Sequence, residues 1–107
     1  MYLDLSGRNI NNNNIEFYQY RQNIKPTVID LSHNNIGKDT IENVLLLLDN
    51  YSKINELNFS WNELEYNSII QLSNWLSCKN IELLNINLHN FTLQDVSAII
   101  PIFNYVR

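Results

Sequence analysis

The sequence predicts an α/β fold in which short parallel strands alternate with helices in stacked units, a right-handed βα superhelix. Two observations predict it. One phrase recurs four times, as LDLSGRNI from Leu3, IDLSHNNI from Ile29, LNFSWNEL from Leu57 and LNINLHNF from Leu84, at offsets of 26, 28 and 27 residues. Behind it, an apolar stripe at helical spacing recurs in step: Ile41, Val44, Leu45 and Leu48, then Ile69, Leu72 and Leu76, then Val96, Ile99 and Phe103. A fixed period in the twenties marks strand-plus-helix units that stack because none can bury its apolar side alone. The chain reads as one domain with units at approximately 1–25, 26–53, 54–80 and 81–107.

The strands come first in each unit. Leu3/Leu5, Ile29/Leu31, Leu57/Phe59 and Leu84/Ile86 alternate with polar residues, so each pair turns inward from a strand with one buried face. The expected spans are 3–6, 28–32, 56–60 and 83–87. Five residues beyond each pair another apolar residue (Ile10, Ile36, Leu64, Phe91) brings the chain back to the core. Asn34 and Asn62 stand in that bend, where a buried amide satisfies loop backbone groups that would otherwise lack partners. The first and fourth units carry Arg8 and His89 instead, and Pro26 takes the leading apolar position of the second.

The helices follow at about 13–22, 39–50, 67–78 and 93–100. Ile41, Val44, Leu45 and Leu48 fall at i, i+3, i+4 and i+7, a stripe that faces a core. Asp39 with Glu42, and Thr92 with Asp95, read as N-cap and N3 pairs. The first helix is the weakest, with Gln22 where Leu48 and Leu76 stand, and Pro101 should stop or kink the last one.

The stretch Ile54-x-x-Leu57-x-Phe59-x-x-Asn62-x-Leu64 matches L-x-x-L-x-L-x-x-N-x-L with conservative apolar exchanges. On that phrase and its three echoes, the whole chain resembles the leucine-rich repeat family. Its length of about 28 residues per unit, with a full helix, is similar to the ribonuclease-inhibitor-like subfamily. That resemblance implies a parallel sheet on a concave side, helices on a convex side, and an intracellular protein-binding module.

Composition narrows the function classes. The chain has 107 residues, 45% of them hydrophobic, and a net charge of −4 with seven dispersed basic residues. A packed core is expected, and a nucleic-acid partner is disfavoured because phosphate binding needs clustered Lys and Arg. Cys78 is the one cysteine, which leaves no internal disulfide and no metal-binding pair. The N-terminal residues lack a basic start and an apolar run, and Val44 to Leu48 is too short to cross a bilayer. A cytoplasmic setting with no membrane partner is expected, extending to a host cell's cytoplasm were the source an intracellular microbe. The 20 asparagines, four of them at Asn11 to Asn14, read as codon bias of an AT-rich genome.

Catalytic, cofactor and metal readings find no footing. Gly7 and Gly37 are the only glycines, so no phosphate-cradling loop can form, and His33 and His89 lie in different columns. With the protein binding that the family resemblance implies, the expectation is a non-enzymatic module that binds another protein through residues between and after the inward-facing pairs. These form columns across the strands: Tyr2, Val28, Glu56 and Leu83; then Asp4, Asp30, Asn58 and Asn85; then Ser6, Ser32, Ser60 and Asn87; then Gly7, His33, Trp61 and Leu88. The residues expected to touch a partner are Asp4, Asp30, Ser32, His33, Glu56, Asn58, Trp61 and Asn85. Trp61, beside His33, is the expected anchor. Asp4 beside Asp30, with nothing basic in their column, points to a basic or amide-rich partner.

Two other readings stand beside it: a structural stretch of a longer array without binding of its own, and a GTPase-activating regulator using Arg8, the arginine at a strand-to-helix loop. Leu3/Leu5 and Leu84/Ile86 lie in the outer strands, whose open edges lead to an expectation of self-association through an end.

Overall fold

Three-residue strands need neighbours to persist, and here each finds them one unit away. The computed structural model describes residues 1–18, 24–86 and 97–104. It contains β1 (Tyr2–Asp4), β2 (Val28–Asp30), β3 (Glu56–Asn58) and β4 (Leu83–Asn85), with α1 (Ile41–Leu48) and α2 (Tyr66–Leu76) between them. The sheet is parallel throughout, in the order β1-β2-β3-β4, and its register aligns Leu3, Ile29, Leu57 and Leu84 in one row. The architecture is α/β with a four-stranded parallel sheet, as the two periods predict.

The inward rows close a single core. Leu3, Leu5, Ile29, Leu31, Leu57 and Phe59 join Ile41, Val44, Leu48, Ile69, Leu72 and Leu76 in one buried cluster. Side chains on the strands alternate faces, so Tyr2, Asp4 and their row-mates are left on the opposite, open face. The apolar row is also covered at the outer strand β1. Leu3, Leu5, Ile10 and Ile15 are all at most 5% exposed, because the second unit and their own loop cover them.

The helices depart from expectation at their starts. α1 is capped at Thr40, not Asp39, and Thr40 makes no side-chain cap bond within the helix. Its hydroxyl instead accepts from the N–H of Gly37, so the cap side chain is spent on the turn before the helix. α2 begins with a reciprocal box that the sequence reading missed. The Glu65 carboxylate accepts from the Ser68 N–H, and the Ser68 hydroxyl accepts from the Glu65 N–H. The Thr92/Asp95 pair lies outside the described residues.

Within the first predicted helix, Ile15–Tyr18 form a 3-10 helix, and residues 19–23 lie outside the described set. Asparagine side chains shape its start. Asn14 Oδ1 accepts from the Asn11 N–H and Asn11 Oδ1 from the Asn13 N–H, so side chains take up backbone groups in the turn that leads into it. The Asn run is thus a folded turn as well as a compositional bias. Asn12 also reaches the next unit, donating to the Asp39 carbonyl and accepting from the Asn43 amide. At the far end, residues 97–99 are helical and give way to a 3-10 helix at Ile100–Asn104. Pro101 sits at that change, where its missing N–H removes an α-helical bond.

Gly37 is required by a close approach. A β-carbon there would lie 2.9 Å from the Glu63 carbonyl oxygen, on the loop whose N–H bonds the Ile36 carbonyl. Among the described residues, no helix is long and apolar enough to cross a membrane.

Candidate functional site

The loops that follow the strands are held by a ladder of two buried asparagines. Asn34 is 1% exposed and its Oδ1 accepts from the Arg8 and Ile10 N–H groups at 2.9 and 3.2 Å. Its amide donates to the carbonyls of Leu5, Leu31 and Ser32. Asn62 repeats the pattern one unit on, accepting from the Asn34 and Ile36 N–H groups and donating to the Leu31, Phe59 and Ser60 carbonyls. Each asparagine therefore serves the loop before it as well as its own, which welds neighbouring loops together. The expectation for both residues holds. His89 lies outside the described residues.

A second device ends the strands. Asp4, Asp30 and Asn58 each turn an Oδ1 onto the N–H two residues on, at Ser6, Ser32 and Ser60, all at 2.9 Å. These Asx turns give their column a local role. The next residues, Gly7, His33 and Trp61, all adopt left-handed backbone, with φ of 61°, 59° and 58°. Glycine meets that geometry without cost, while a side chain pays about 1–2 kcal/mol for it. A tryptophan at such a position is held there by its surroundings. The Trp61 and His33 rings stack with centroids 5.4 Å apart and planes 14° off parallel, and Trp61 remains 50% exposed. Backbone bonds from Gly7 to the Ser32 carbonyl and from His33 to the Ser60 carbonyl fix the spacing of this rim.

Below the rim lies the open face of the sheet. Its first column joins Tyr2, Val28, Glu56 and Leu83 and its second Asp4, Asp30, Asn58 and Asn85, in the register read from the sequence. A shallow groove of about 200 Å³ runs between Tyr2, Val28, Asp30, Glu56, Asn58, Leu83 and Asn85, with Leu57 at its floor. Tyr2 and Leu83 are more than half exposed and form its outer walls. These two and Val28 were not among the expected contact residues, although they share a column with Glu56. The exposed aromatic and aliphatic positions in that column were the available signal.

The expected contact residues separate into those on this surface and one that is not. Asp4, His33 and Trp61 are exposed, and Asp30, Glu56, Asn58 and Asn85 are half-buried on the open face. Ser32 is a correction: it is 6% exposed. Its N–H is bonded by Asp30 and its carbonyl takes both Gly7 and the Asn34 amide, so the turn tucks it beneath His33. Ser60 is buried in the same way and donates its hydroxyl to Asn85 Oδ1.

The Asp4–Asp30 pair is less bare than its column suggests. The Tyr2 hydroxyl donates to Asp30 Oδ2 at 2.8 Å, and that bond, with burial and the nearby carboxylates, pushes the phenol up to about 12. The Ser6 hydroxyl and N–H hold the Asp4 carboxyl below its ordinary range, helped by the Arg8 charge. Arg8 is also tied back, its guanidinium donating to the Asp4 carbonyl at 3.1 Å. A basic group is therefore near Asp4, contrary to the expectation from its column.

On the helix side, Trp75 packs between α1 and α2 as a structural residue. Its indole N–H donates to Asp49 Oδ1, which also pairs with Lys79 at 2.8 Å, and the Lys79 ammonium lies 5.1 Å from the Trp75 ring. Burial pushes the Asp49 carboxyl up, but Lys79 and Trp75 outweigh it and leave the group below its ordinary value. Cys78 is exposed beside this cluster. No protein-family model, curated protein or solved structure matches this chain.

Proposed function

We propose that this chain is a leucine-rich repeat module of the ribonuclease-inhibitor-like kind, and that it binds another protein through the open face of its sheet, with Trp61 as the anchor. In this reading the four units form a right-handed βα superhelix and the open face is its concave side. Parallel strands in sequence order and the asparagine ladder support the family reading. The observation that carries the binding reading is Trp61 itself. A large aromatic stays half exposed in a left-handed backbone position, stacked on His33, where Gly7 occupies the equivalent place in the first unit. Strain of that kind persists where a side chain is needed for something other than folding. A half-exposed Trp on the rim above the open face is the usual form of an interface anchor.

The left-handed geometry also supplies a clean test. Trp61→Gly removes the anchor from a position glycine accepts, so the fold should survive within about 1 kcal/mol of the parent. Captured partners from an extract of the source cell should disappear with Trp61→Gly and persist with Leu46→Ala, which removes an exposed side chain from α1. Partners that ignore Trp61 but need Leu46 would move the interface to the helices. Capture that ignores both would move the interface to another surface, and capture of no partner by the parent would favour the structural-stretch alternative.

A further inference from the structure

We infer that the partner segment seated on the open face is cationic: an extended stretch of another protein whose Lys or Arg side chain enters the groove between Glu56 and Asp30. The inference rests on the protein-binding reading of that face and adds the chemistry of what fills it. Three carboxylates, Asp4, Asp30 and Glu56, stand in the two columns of the face, and no Lys or Arg stands in either. The Asx turns do not demand this charge, since the neutral Asn58 closes the same turn with its amide oxygen. Glu56 closes no turn at all. Its half-buried carboxylate makes no side-chain hydrogen bond or ion pair among the described residues, and its ladder neighbours are Val28 and Leu83.

A carboxylate flanked by aliphatic walls, with Asp30 diagonal to it on the next strand, matches a long basic side chain. The apolar stem lies along Val28 and Leu83 while the cation reaches both acids. The same negative charge opposes a second copy docked by its matching face, which would bring three more carboxylates against these.

Random dodecapeptides displayed on phage, selected against the intact chain at low salt, give an unbiased test. Recovered peptides should be rich in Lys or Arg. Their synthetic forms should weaken at least about tenfold against Asp30→Asn/Glu56→Gln and weaken further as salt rises. The exposed helix-side pair Asp39→Asn/Glu42→Gln removes the same charge elsewhere and should leave binding unchanged. Circular dichroism of both variants should match the parent, since Asp30→Asn keeps its turn oxygen. Neutral or acidic binders that require Trp61 would overturn the cationic assignment while leaving the docking face intact. Equal weakening by both double variants would reduce the effect to bulk charge and overturn it. Recovery of no face-dependent peptide would overturn this inference and the docking reading together.

Discussion

The first loop and the two that follow it solve one problem differently. The second and third loops carry Asn34 and Asn62, each buried and each bonded across to the loop before it. The first carries Arg8, exposed, whose side chain reaches only to its own strand. Yet Leu3, Leu5 and Ile10 beneath the first loop are as buried as their equivalents, Ile29, Leu31 and Ile36. Burial of the apolar row and satisfaction of the loop backbone are therefore separable. A loop is completed by the asparagine of the next unit, so the first loop has its N–H groups served by Asn34 and has no need of an amide at position 8.

This difference predicts the largest mutational contrast in the molecule. Asn62→Ala or Asn34→Ala should leave buried N–H and carbonyl groups without partners and cost about 3 kcal/mol. Arg8→Ala should fall within about 0.5 kcal/mol of the parent, as surface changes do. Urea midpoints of the three variants make the comparison. A tolerated Asn62→Ala, or an Arg8→Ala as damaging as the asparagine changes, would break it.

The two glycines sharpen it by a smaller amount. Gly37→Ala forces a β-carbon to 2.9 Å from the Glu63 carbonyl oxygen, and relieving that contact must move one loop against another, at about 2 kcal/mol. Gly7→Ala meets no atom within 4 Å and suffers only its positive φ, at about 1 kcal/mol. Thermal unfolding should rank Gly37→Ala as the worse. The reverse order would mean that the second and third loops are less tightly joined than the first is strained.

How far the sequence carried can be judged on particular residues. The register of all four strands was legible because strand side chains repeat every two residues and a one-residue slip would turn Leu3 and Ile29 outward. The burial of Asn34 and Asn62 was legible because a polar residue in an apolar bend has few other uses. The turn roles of Asp4 and Asp30 were not, since a surface carboxylate and an Asx-turn acceptor look alike in a sequence. Ser32 was misplaced for the same reason: the turn made by Asp30 carries it under the rim. The start of α1 was missed because Thr40 is taken up by Gly37, and the box that opens α2 was missed because it reads Glu then Ser, the reverse of the usual order. Left-handed geometry at Trp61 had no sequence signal beyond its alignment with Gly7.

The smallest effect lies where the first and second units meet on the open face. The Tyr2 phenol should titrate near 12, above the ordinary 10.0, because its proton is held by Asp30. That bond contributes in full below pH about 10 and is lost as pH rises toward about 12. The ¹³Cζ shift of Tyr2 followed through alkaline pH measures it. Asp30→Asn should return the phenol toward its ordinary value, and an unchanged titration would show that Asp30 is not its partner in solution.

Each asparagine completes the loop before its own, and thereby sets the rim on which His33 and Trp61 stack. Native-state hydrogen exchange of Asn62→Ala tests it at single N–H groups. Exchange should quicken at Asn34 and Ile36, which lose their acceptor, while Arg8 and Ile10, still bonded to Asn34, keep parent-like protection. Uniform quickening across all four, or none at Asn34 and Ile36, would contradict it.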